Sequence, residues 1–195
     1  MVFSGDRSHW DAFNWDRHSS LKAVKPIIVD WYNALPDSGA LVLAGNNGSG
    51  KSHIAKALYN LFGHWRASFY GEVALAKAIQ KTYDDRSLSE DGFIKQALFR
   101  PDLFILDDLG TYQAKDQSFI QNVYRRIFDD YLTVQKGALL ITTNLPLMTK
   151  RGGDIRARIG GRSFSRLCGA MTDKTSYIDL FNVPDFRIEQ FVGRG

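Results

Sequence analysis

The segment at residues 45–52, which reads Gly-Asn-Asn-Gly-Ser-Gly-Lys-Ser, constrains the fold of this chain more than any other feature. It matches the phosphate-binding pattern G-x-x-x-x-G-K-[ST] at every fixed position, and that pattern needs a strand before it and a helix after it. Residues 40–44 form a short apolar run, as expected of a buried strand, and residues 51–62 carry apolar side chains on one helical face. The sequence therefore predicts a strand, a phosphate-binding loop and a helix, in this order.

The positions of this loop have expected roles in binding ATP and Mg²⁺. The glycines let the backbone turn tightly, so that its N–H groups point at phosphate oxygens, and the following helix adds the positive end of its dipole. Lys51 places a charge on the β- and γ-phosphates, and the Ser52 hydroxyl completes the coordination of Mg²⁺. His53 follows the motif, although packing or exposure to solvent explains it more simply than chemistry does. The nucleotide-binding candidates are Gly45, Asn46, Asn47, Gly48, Ser49, Gly50, Lys51, Ser52 and His53.

Apolar runs alternate with helical segments along the rest of the chain, which predicts an α/β fold with a central, mostly parallel sheet. Further strands are expected at residues 66–70, 103–106, 138–143 and 177–181, which makes five strands together with residues 40–44. Further helices are expected at residues 21–35, 72–83 and 118–135. Residues 82–92 are polar, and we expect them to form a surface excursion.

Two aspartates follow the predicted strand at residues 103–106. Carboxylates in this position lie at the carboxyl edge of a buried strand, where ligands bind in open α/β sheets. We expect Asp107 to hold Mg²⁺ through a water molecule, and Asp108 to orient or deprotonate the water that attacks ATP. The alternative is that both acids cap a turn before Gly110, which is less attractive downstream of a complete phosphate-binding loop.

Asn144 follows the predicted strand at residues 138–143 and should lie on the same edge of the sheet. There its side chain can hydrogen-bond both the γ-phosphate and the lytic water. The alternative is an asparagine that starts the turn into Leu145 and Pro146. The two other motifs at this edge favour the catalytic role.

A basic stretch between residues 150 and 166 is opposed within the stretch by Asp154 alone. Its cations are Lys150, Arg151, Arg156, Arg158, Arg162 and Arg166. We expect no carboxylate to pair with the arginines between residues 158 and 166. Three explanations stay open: stabilisation of charge on a transferring phosphoryl group, a solvated basic face or helix terminus, and phosphate contacts to DNA.

Composition excludes several other classes of protein. The chain is 44% hydrophobic and 24% charged, values typical of a globular domain, and its net charge of +4 permits binding to nucleic acid without requiring it. The single cysteine, Cys168, excludes an internal disulfide, and the four histidines lack the spacing of metal ligands. No apolar run approaches the roughly 20 residues needed to cross a bilayer, and the first 15 residues lack a signal-peptide core. We therefore expect a cytoplasmic protein without a membrane partner.

The ordered motifs resemble the AAA+ ATPases of the DnaC and DnaI helicase-loader type and the related IstB transposition helpers. The similarity covers nearly the whole chain, beginning with the aromatic-acidic segment Ala-Phe-Asn-Trp-Asp at residues 12–16. The remaining matching segments are Gly-Ser-Gly-Lys-Ser-His-Ile-Ala at 48–55, Leu-Asp-Asp-Leu-Gly at 106–110, Thr-Thr-Asn-Leu at 142–145, Gly-Arg-Ser-Phe-Ser-Arg-Leu at 161–167 and Asp-Phe-Arg at 185–187.

The resemblance implies a site shared between subunits. Arg166 matches the family's arginine finger, which reaches the γ-phosphate on a neighbouring subunit, and Arg162 is a second candidate, for the γ-phosphate or for DNA. The chain would form a homo-oligomer in the ATP state and bind DNA, more plausibly single-stranded. Its protein partner would be a replicative DnaB-type helicase or, for an IstB-like protein, a transposase. The catalytic candidates are thus Lys51, Asp107, Asp108, Asn144, Arg162 and Arg166, and the metal candidates are Ser52 and Asp107.

Other parts of the chain depart from the family's pattern. About ten residues precede the shared core, so we expect the helicase-docking N-terminal domain of the loaders to be missing. The part after Pro146 is too short for a full helical lid. We therefore expect a short N-terminal segment at residues 1–15 and a single AAA+ domain at residues 16–195 with a reduced C-terminal lid.

Two assignments and one alternative complete the sequence-based account. Arg187 is the candidate for a second nucleotide-sensing arginine. Trp15 is a candidate for the adenine site, although packing of Phe13 and Trp15 onto the core explains both residues equally well. A small-molecule P-loop kinase is a remote alternative, because an aspartate pair combined with Asn144 suits hydrolysis better than transfer to a small acceptor.

Overall fold

The structure of the chain is a computed structural model that describes residues 8–84, 89–98, 102–113, 117–135 and 137–188. At its centre lies a sheet whose five strands are all parallel and run in the order β2-β3-β4-β1-β5. The strands are β1 (Ala40–Gly45), β2 (Ala67–Gly71), β3 (Leu103–Leu109), β4 (Ala138–Thr143) and β5 (Tyr177–Leu180). The prediction of a five-stranded, parallel α/β sheet is confirmed.

Helices flank this sheet. They are α1 (Ser8–Ala12), α2 (Ser19–Asn33), α3 (Lys51–Phe62), α4 (Glu72–Asp84), α5 (Glu90–Leu98), α6 (Gln117–Arg125), α7 (Ile155–Ile159) and α8 (Gly161–Ala170). Two 3₁₀ turns, Trp15–Arg17 and Lys174–Ser176, and a π-helix, Arg126–Gln135, complete the regular structure of the described residues.

Alternate side chains of the central strands enter two separate apolar cores. Leu41 and Leu43 of β1 pack with α2 and α3 on one face, whereas Val42 packs with α4, α6 and α8 on the other. Every residue of β1 and of β4 is buried. Burial on both faces explains why these strands read in the sequence as continuous apolar runs and not as alternating ones.

Several observed elements begin or end one or two residues away from the predicted bounds, and α5, α7 and α8 were not predicted. Helix α4 extends to Asp84 and α5 begins at Glu90, so the prediction of a surface excursion at residues 82–92 is wrong at both of its ends; residues 85–88 lie outside the described part of the chain. Strand β3 continues through both aspartates to Leu109, with a register shift against β4 after Leu106. The helix predicted at residues 118–135 begins one residue earlier and changes after Arg125 into a π-helix, Arg126–Gln135.

The N-terminal residues pack onto the same core as the residues that follow them. The ring of Trp10, in α1, lies 4.7 Å from the ring of Trp15, and both side chains are buried in the core under α2 and α3. In the described residues, no helix has the length and apolar character needed to span a membrane.

Candidate nucleotide-binding site

The loop between β1 and α3 has the backbone conformation that phosphate binding requires. Gly48 and Gly50 have φ angles of 70° and 93°, in the left-handed region that glycine occupies without steric cost. At Gly48 space is also short, because a Cβ atom there would lie 1.7 Å from Oδ1 of Asp185. Helix α3 begins at Lys51, directly after Gly50, so its positive dipole end faces the loop.

Lys51 is folded back into this loop. Its Nζ donates hydrogen bonds to the carbonyl oxygens of Gly45 (2.9 Å) and Asn46 (2.7 Å) and to the hydroxyl of Ser49 (3.3 Å). Burial lowers the pKa of Lys51, while the nearby carboxylates of Asp108 and Asp107 act in the opposite direction. The ammonium group therefore sits at the loop, partly desolvated, with its three donors used by loop atoms that a bound phosphate would replace in part.

The end of β3 brings both aspartates next to β4, where Asp107 contacts Thr142 through its side chain and Asp108 through its backbone. Thr142 of β4 donates its hydroxyl to Oδ1 of Asp107 (2.5 Å), and the same hydroxyl oxygen accepts the backbone N–H of Asp108 (2.9 Å). Because the strand bulges here, Asp108 has a positive φ of 58° and its side chain lines a cleft beside the loop. No role was predicted for Thr142, although a threonine on the strand next to two carboxylates is a recognisable partner for them.

Asp108 carries its charge in an unfavourable place. Burial raises the pKa of Asp108 and the neighbouring carboxylate of Asp107 adds to the rise, whereas the Lys51 ammonium lowers it. A carboxylate whose pKa is raised is a better proton acceptor than one in water. This is the property expected of a base that activates a water molecule.

Asn144 joins the edge of the sheet to the loop. Its amide nitrogen donates a hydrogen bond to the side-chain oxygen of Asn47 (2.7 Å), and both residues line the cleft. The end of β4 and the phosphate-binding loop are thereby held together. An amide in this position can contact both a phosphate held by the loop and a water molecule near Asp108.

The cleft has a volume of about 570 Å³, enough for a nucleotide, and is closed on one side by the N-terminal residues. Phe13 lies against the loop, since a Cβ atom on Gly50 would be 2.9 Å from the Phe13 ring. The Arg17 guanidinium stacks 4.1 Å from the centre of the Phe186 ring and donates to the Phe186 carbonyl (3.3 Å). Sequence analysis missed Arg17, and only its position just after the aromatic-acidic segment could have suggested it.

Trp15 lies behind the N-terminal residues that close the cleft and does not line the cleft itself. Its side chain is buried, packed against Trp10 and Phe13, and is absent from the residues that line the cleft. The packing explanation of Trp15 is therefore the better one, and the planar groups available to an adenine base are Phe13, Phe186 and Arg17.

The segment that follows β5 returns to the phosphate-binding loop. The backbone N–H of Phe186 donates to the carbonyl of Gly48 (3.3 Å), and Arg187 lines the cleft. The guanidinium of Arg187 forms two hydrogen bonds with Asp185 (3.1 and 3.0 Å), and these bonds lower the pKa of that carboxyl. The candidate sensing arginine thus stands at the loop, with its carboxylate partner beside Gly48.

The remaining nucleotide-binding candidates lie around the same loop. Ser52 and His53 occupy the first turn of α3 and line the cleft. The exposed ring of His53 is 3.2 Å from the carbonyl of His9 and stacks near Phe13, so it also ties α1 to the loop.

The three arginines between residues 158 and 166 fall into two groups, and the expectation that no carboxylate lies near them is wrong. Arg158 is a structural residue: its guanidinium forms an ion pair with Glu72 (3.0 Å), which is 1% exposed, and bonds to the Tyr124 hydroxyl and the Tyr112 carbonyl. The correction has a simple cause, because Glu72 is 86 residues away in sequence and reaches Arg158 only through the fold.

Arg162 and Arg166 lie one helical turn apart on the exposed face of α8. They are not among the residues that line the cleft, and their side chains are 72% and 50% exposed. Their guanidinium groups flank a carboxylate on the neighbouring π-helix, that of Asp129, at 2.9 and 3.8 Å.

The chain matches a known protein family. The family model of the IstB-like ATP binding proteins matches residues 13–151, well over half of the chain. This match spans the phosphate-binding loop, both aspartates and Asn144. No curated protein matches the sequence.

Several solved structures share the fold. The DnaC helicase loader superposes with a TM-score of 0.68 at 20% identity, over 89% of this chain and 99% of its own. A DnaA replication initiator bound to AMPPCP and single-stranded DNA gives 0.64 at 18% identity, over 100% of this chain and 56% of its own. DnaI gives 0.53 at 16% identity, over 87% of this chain and 86% of its own. At these identities the similarity extends to the fold alone.

Proposed function

The chain belongs to the family of IstB-like ATP binding proteins and has the P-loop fold of the AAA+ ATPases, and on this premise we propose that it is a DNA-linked ATPase whose site is completed by a neighbouring subunit. One observation carries the proposal. Lys51, Ser52, Asp108 and Asn144 line one cleft, while Arg162 and Arg166, both next to Asp129, occupy a different, exposed face.

Within one subunit, the groups around the cleft divide the work of hydrolysis. The loop N–H groups and Lys51 hold the β- and γ-phosphates. Asp108 accepts a proton from the attacking water, and Asn144 orients that water against the γ-phosphate. The wall formed by Phe13, Arg17 and Phe186 holds the base.

The donor set fits Mg²⁺. Ser52 and Asp107 offer hydroxyl and carboxylate oxygens, and Thr142 holds one oxygen of Asp107 in place. The described residues contain no group of three or more carboxylate, histidine or cysteine side chains placed to hold a metal. Magnesium suits such a site, because it takes most of its ligands from phosphates and water. When bound, it would neutralise charge that develops on the phosphates.

The arginines on α8 complete the site from outside. A guanidinium placed on the γ-phosphate of the adjacent subunit stabilises the transition state and is worth roughly 10³–10⁵ in rate in other ATPases and GTPases. We assign this role to Arg166, with Arg162 beside it. ATP then promotes assembly, since each bound nucleotide links two subunits.

We assign to this ATPase a role in DNA replication as a loader of a DnaB-type helicase, by analogy with the DnaC fold. The exposed cations Lys150 and Arg151 lie in the loop after β4 and suit contact with single-stranded DNA. The second candidate is an ATPase that assists a transposase, and the match to the IstB-like family model favours it.

Binding measurements test these assignments. Labelled single-stranded DNA should bind more tightly with ATP than with ADP, and the affinity should fall linearly with salt on a log–log scale. Equal affinity in both nucleotide states would refute the link between ATP and DNA. Capture by the immobilised chain of either the purified helicase or the purified transposase then separates the two candidate functions.

A further inference from the structure

The carboxylate of Asp129 is buried in an unusual setting. It belongs to the π-helix that continues α6, and its side chain is only 12% exposed. Both carboxylate oxygens are inaccessible to solvent and receive no aligned hydrogen bond from the described residues. A buried carboxylate in this state is costly unless cations compensate it, so its presence calls for an explanation.

The cations that approach Asp129 are the two arginines on α8. The closest contact of each guanidinium is made through Nε, at 2.9 Å for Arg162 and 3.8 Å for Arg166. Contact through Nε leaves the terminal amino groups of both exposed guanidinium groups available to a phosphate. Asp129 thus contacts the Nε side of both guanidinium groups, and their terminal amino groups remain exposed.

Helix α8, which carries these arginines, is held in place by packing. Ser163 and Leu167, each next in sequence to one of the arginines, are buried, and α8 packs against the π-helix that holds Asp129. The preceding helix, α7, is anchored by the buried ion pair between Arg158 and Glu72. The backbone positions of Arg162 and Arg166 are therefore fixed, and only their long side chains need to be ordered.

We propose that Asp129 is a positioning residue that presents Arg162 and Arg166 to the nucleotide of the adjacent subunit; this inference rests on the shared site proposed above. Without a carboxylate, two neighbouring guanidinium groups repel each other and sample many rotamers. Asp129 offsets the repulsion and restricts the side chains before the neighbour arrives. Because the contacts are ion pairs without strict hydrogen-bond alignment, each guanidinium can still turn toward a phosphate.

The test uses Asp129→Asn, which keeps the shape of the side chain and removes its charge. We expect kcat to fall roughly tenfold to a hundredfold, as is typical when catalytic groups are misplaced, while the KM for ATP changes little. Asp102→Asn is the matched control, since it removes a carboxylate from the Arg66 ion pair (2.8 Å) at the opposite end of β3 and should leave kcat unchanged. Thermal unfolding of both variants verifies that they are folded.

Mixing experiments show whether Asp129 acts through the neighbouring site. Asp129→Asn subunits have an intact cleft and impaired arginines, whereas Asp108→Asn subunits have an impaired cleft and intact arginines. The mixture should hydrolyse ATP faster than the sum of the two separate rates, as should a mixture of Arg166→Ala with Asp108→Asn.

The outcomes separate the two proposals. If Asp129→Asn keeps the wild-type rate, or stays inactive in the mixture while Arg166→Ala recovers, the positioning role is wrong and the shared site stands. If Arg166→Ala itself retains the wild-type rate, the shared site is wrong, and the role of Asp129 is refuted with it.

Discussion

At the scale of single residues, the charged groups of the cleft offset the pKa shifts that burial causes in each of them. Burial lowers the pKa of Lys51 and raises that of Asp108, and each group opposes the shift of the other. The three hydrogen bonds from Lys51 keep this cation at the loop, and a phosphate that binds there takes over at least one of its donors.

The first prediction concerns Lys51. Lys51→Ala should weaken ATP binding by roughly 10- to 100-fold, because a hydrogen bond to a charged group contributes about 1.5–3 kcal/mol. Titration of a fluorescent ATP analogue measures this loss. Replacement of the neighbouring Lys56, which lies on the far side of α3 near Tyr59, should leave the affinity unchanged. An unaltered affinity in Lys51→Ala would contradict the assignment of the loop.

At the scale of elements, the local pattern of apolar residues was sufficient to predict the strands that are completely buried. Strands β1 and β4 were predicted almost to the residue because they are uninterrupted apolar runs bounded by turn-forming residues. Helix α3 followed from its apolar face and the loop before it. The bulge in β3 was not predicted, since its irregular pairing, in which the Asp108 N–H bonds to the hydroxyl of Thr142, involves a strand distant in sequence.

In the candidate site, too, residues within one motif were predicted from the sequence, whereas contacts between distant segments were not. The residues that lie on one motif, such as Lys51 and Asp108, were assigned from sequence because their roles follow from spacing. The carboxylates that pair with the arginines were missed, because Glu72 and Asp129 meet α7 and α8 only through tertiary packing. Sequence distance conceals such pairs, so the arginines appeared equivalent although one is structural.

The second prediction concerns the junction of α4, α6 and α7. Arg158→Ala should destabilise the fold by about 3–5 kcal/mol, since it leaves the buried charge of Glu72 without its cation. The double variant Glu72→Leu with Arg158→Met should be less destabilised than Arg158→Ala, because it removes both charges and keeps the volume. Urea unfolding at neutral pH compares the three proteins. A loss in Arg158→Ala well under 1 kcal/mol would show that the pair is not important for stability.

The third prediction concerns the start of α7 and its dependence on pH. Asp154 is the N-cap of this helix and accepts backbone hydrogen bonds from Ala157 (2.7 Å) and Thr149 (2.6 Å), which lower its pKa. A lowered pKa means that the carboxylate stabilises the fold above its unfolded-state pKa and loses this effect as the pH falls through the folded-state value. Asp154→Ala should therefore unfold a few degrees lower than wild type at neutral pH. The gap in thermal midpoint should narrow in acid, and a gap that is independent of pH would contradict this explanation.

At the scale of the whole molecule, the fold places its two functional surfaces apart. The cleft collects residues from the N-terminal turn, the carboxyl edge of the sheet and the segment after β5. The arginines on α8 stand outside it, held against the π-helix. One surface thus carries the candidate nucleotide site and another carries two exposed arginines, which is the arrangement that the proposed shared site requires.

The most direct test of this account is the rate of ATP hydrolysis per subunit, measured against protein concentration for the wild type and for Arg166→Ala, with and without single-stranded DNA. We predict that the wild-type rate per subunit rises with concentration and with DNA, whereas Arg166→Ala stays low throughout. A wild-type rate that is independent of concentration and DNA, and that Arg166→Ala matches, would contradict the shared site and leave an ATPase that works as a single subunit.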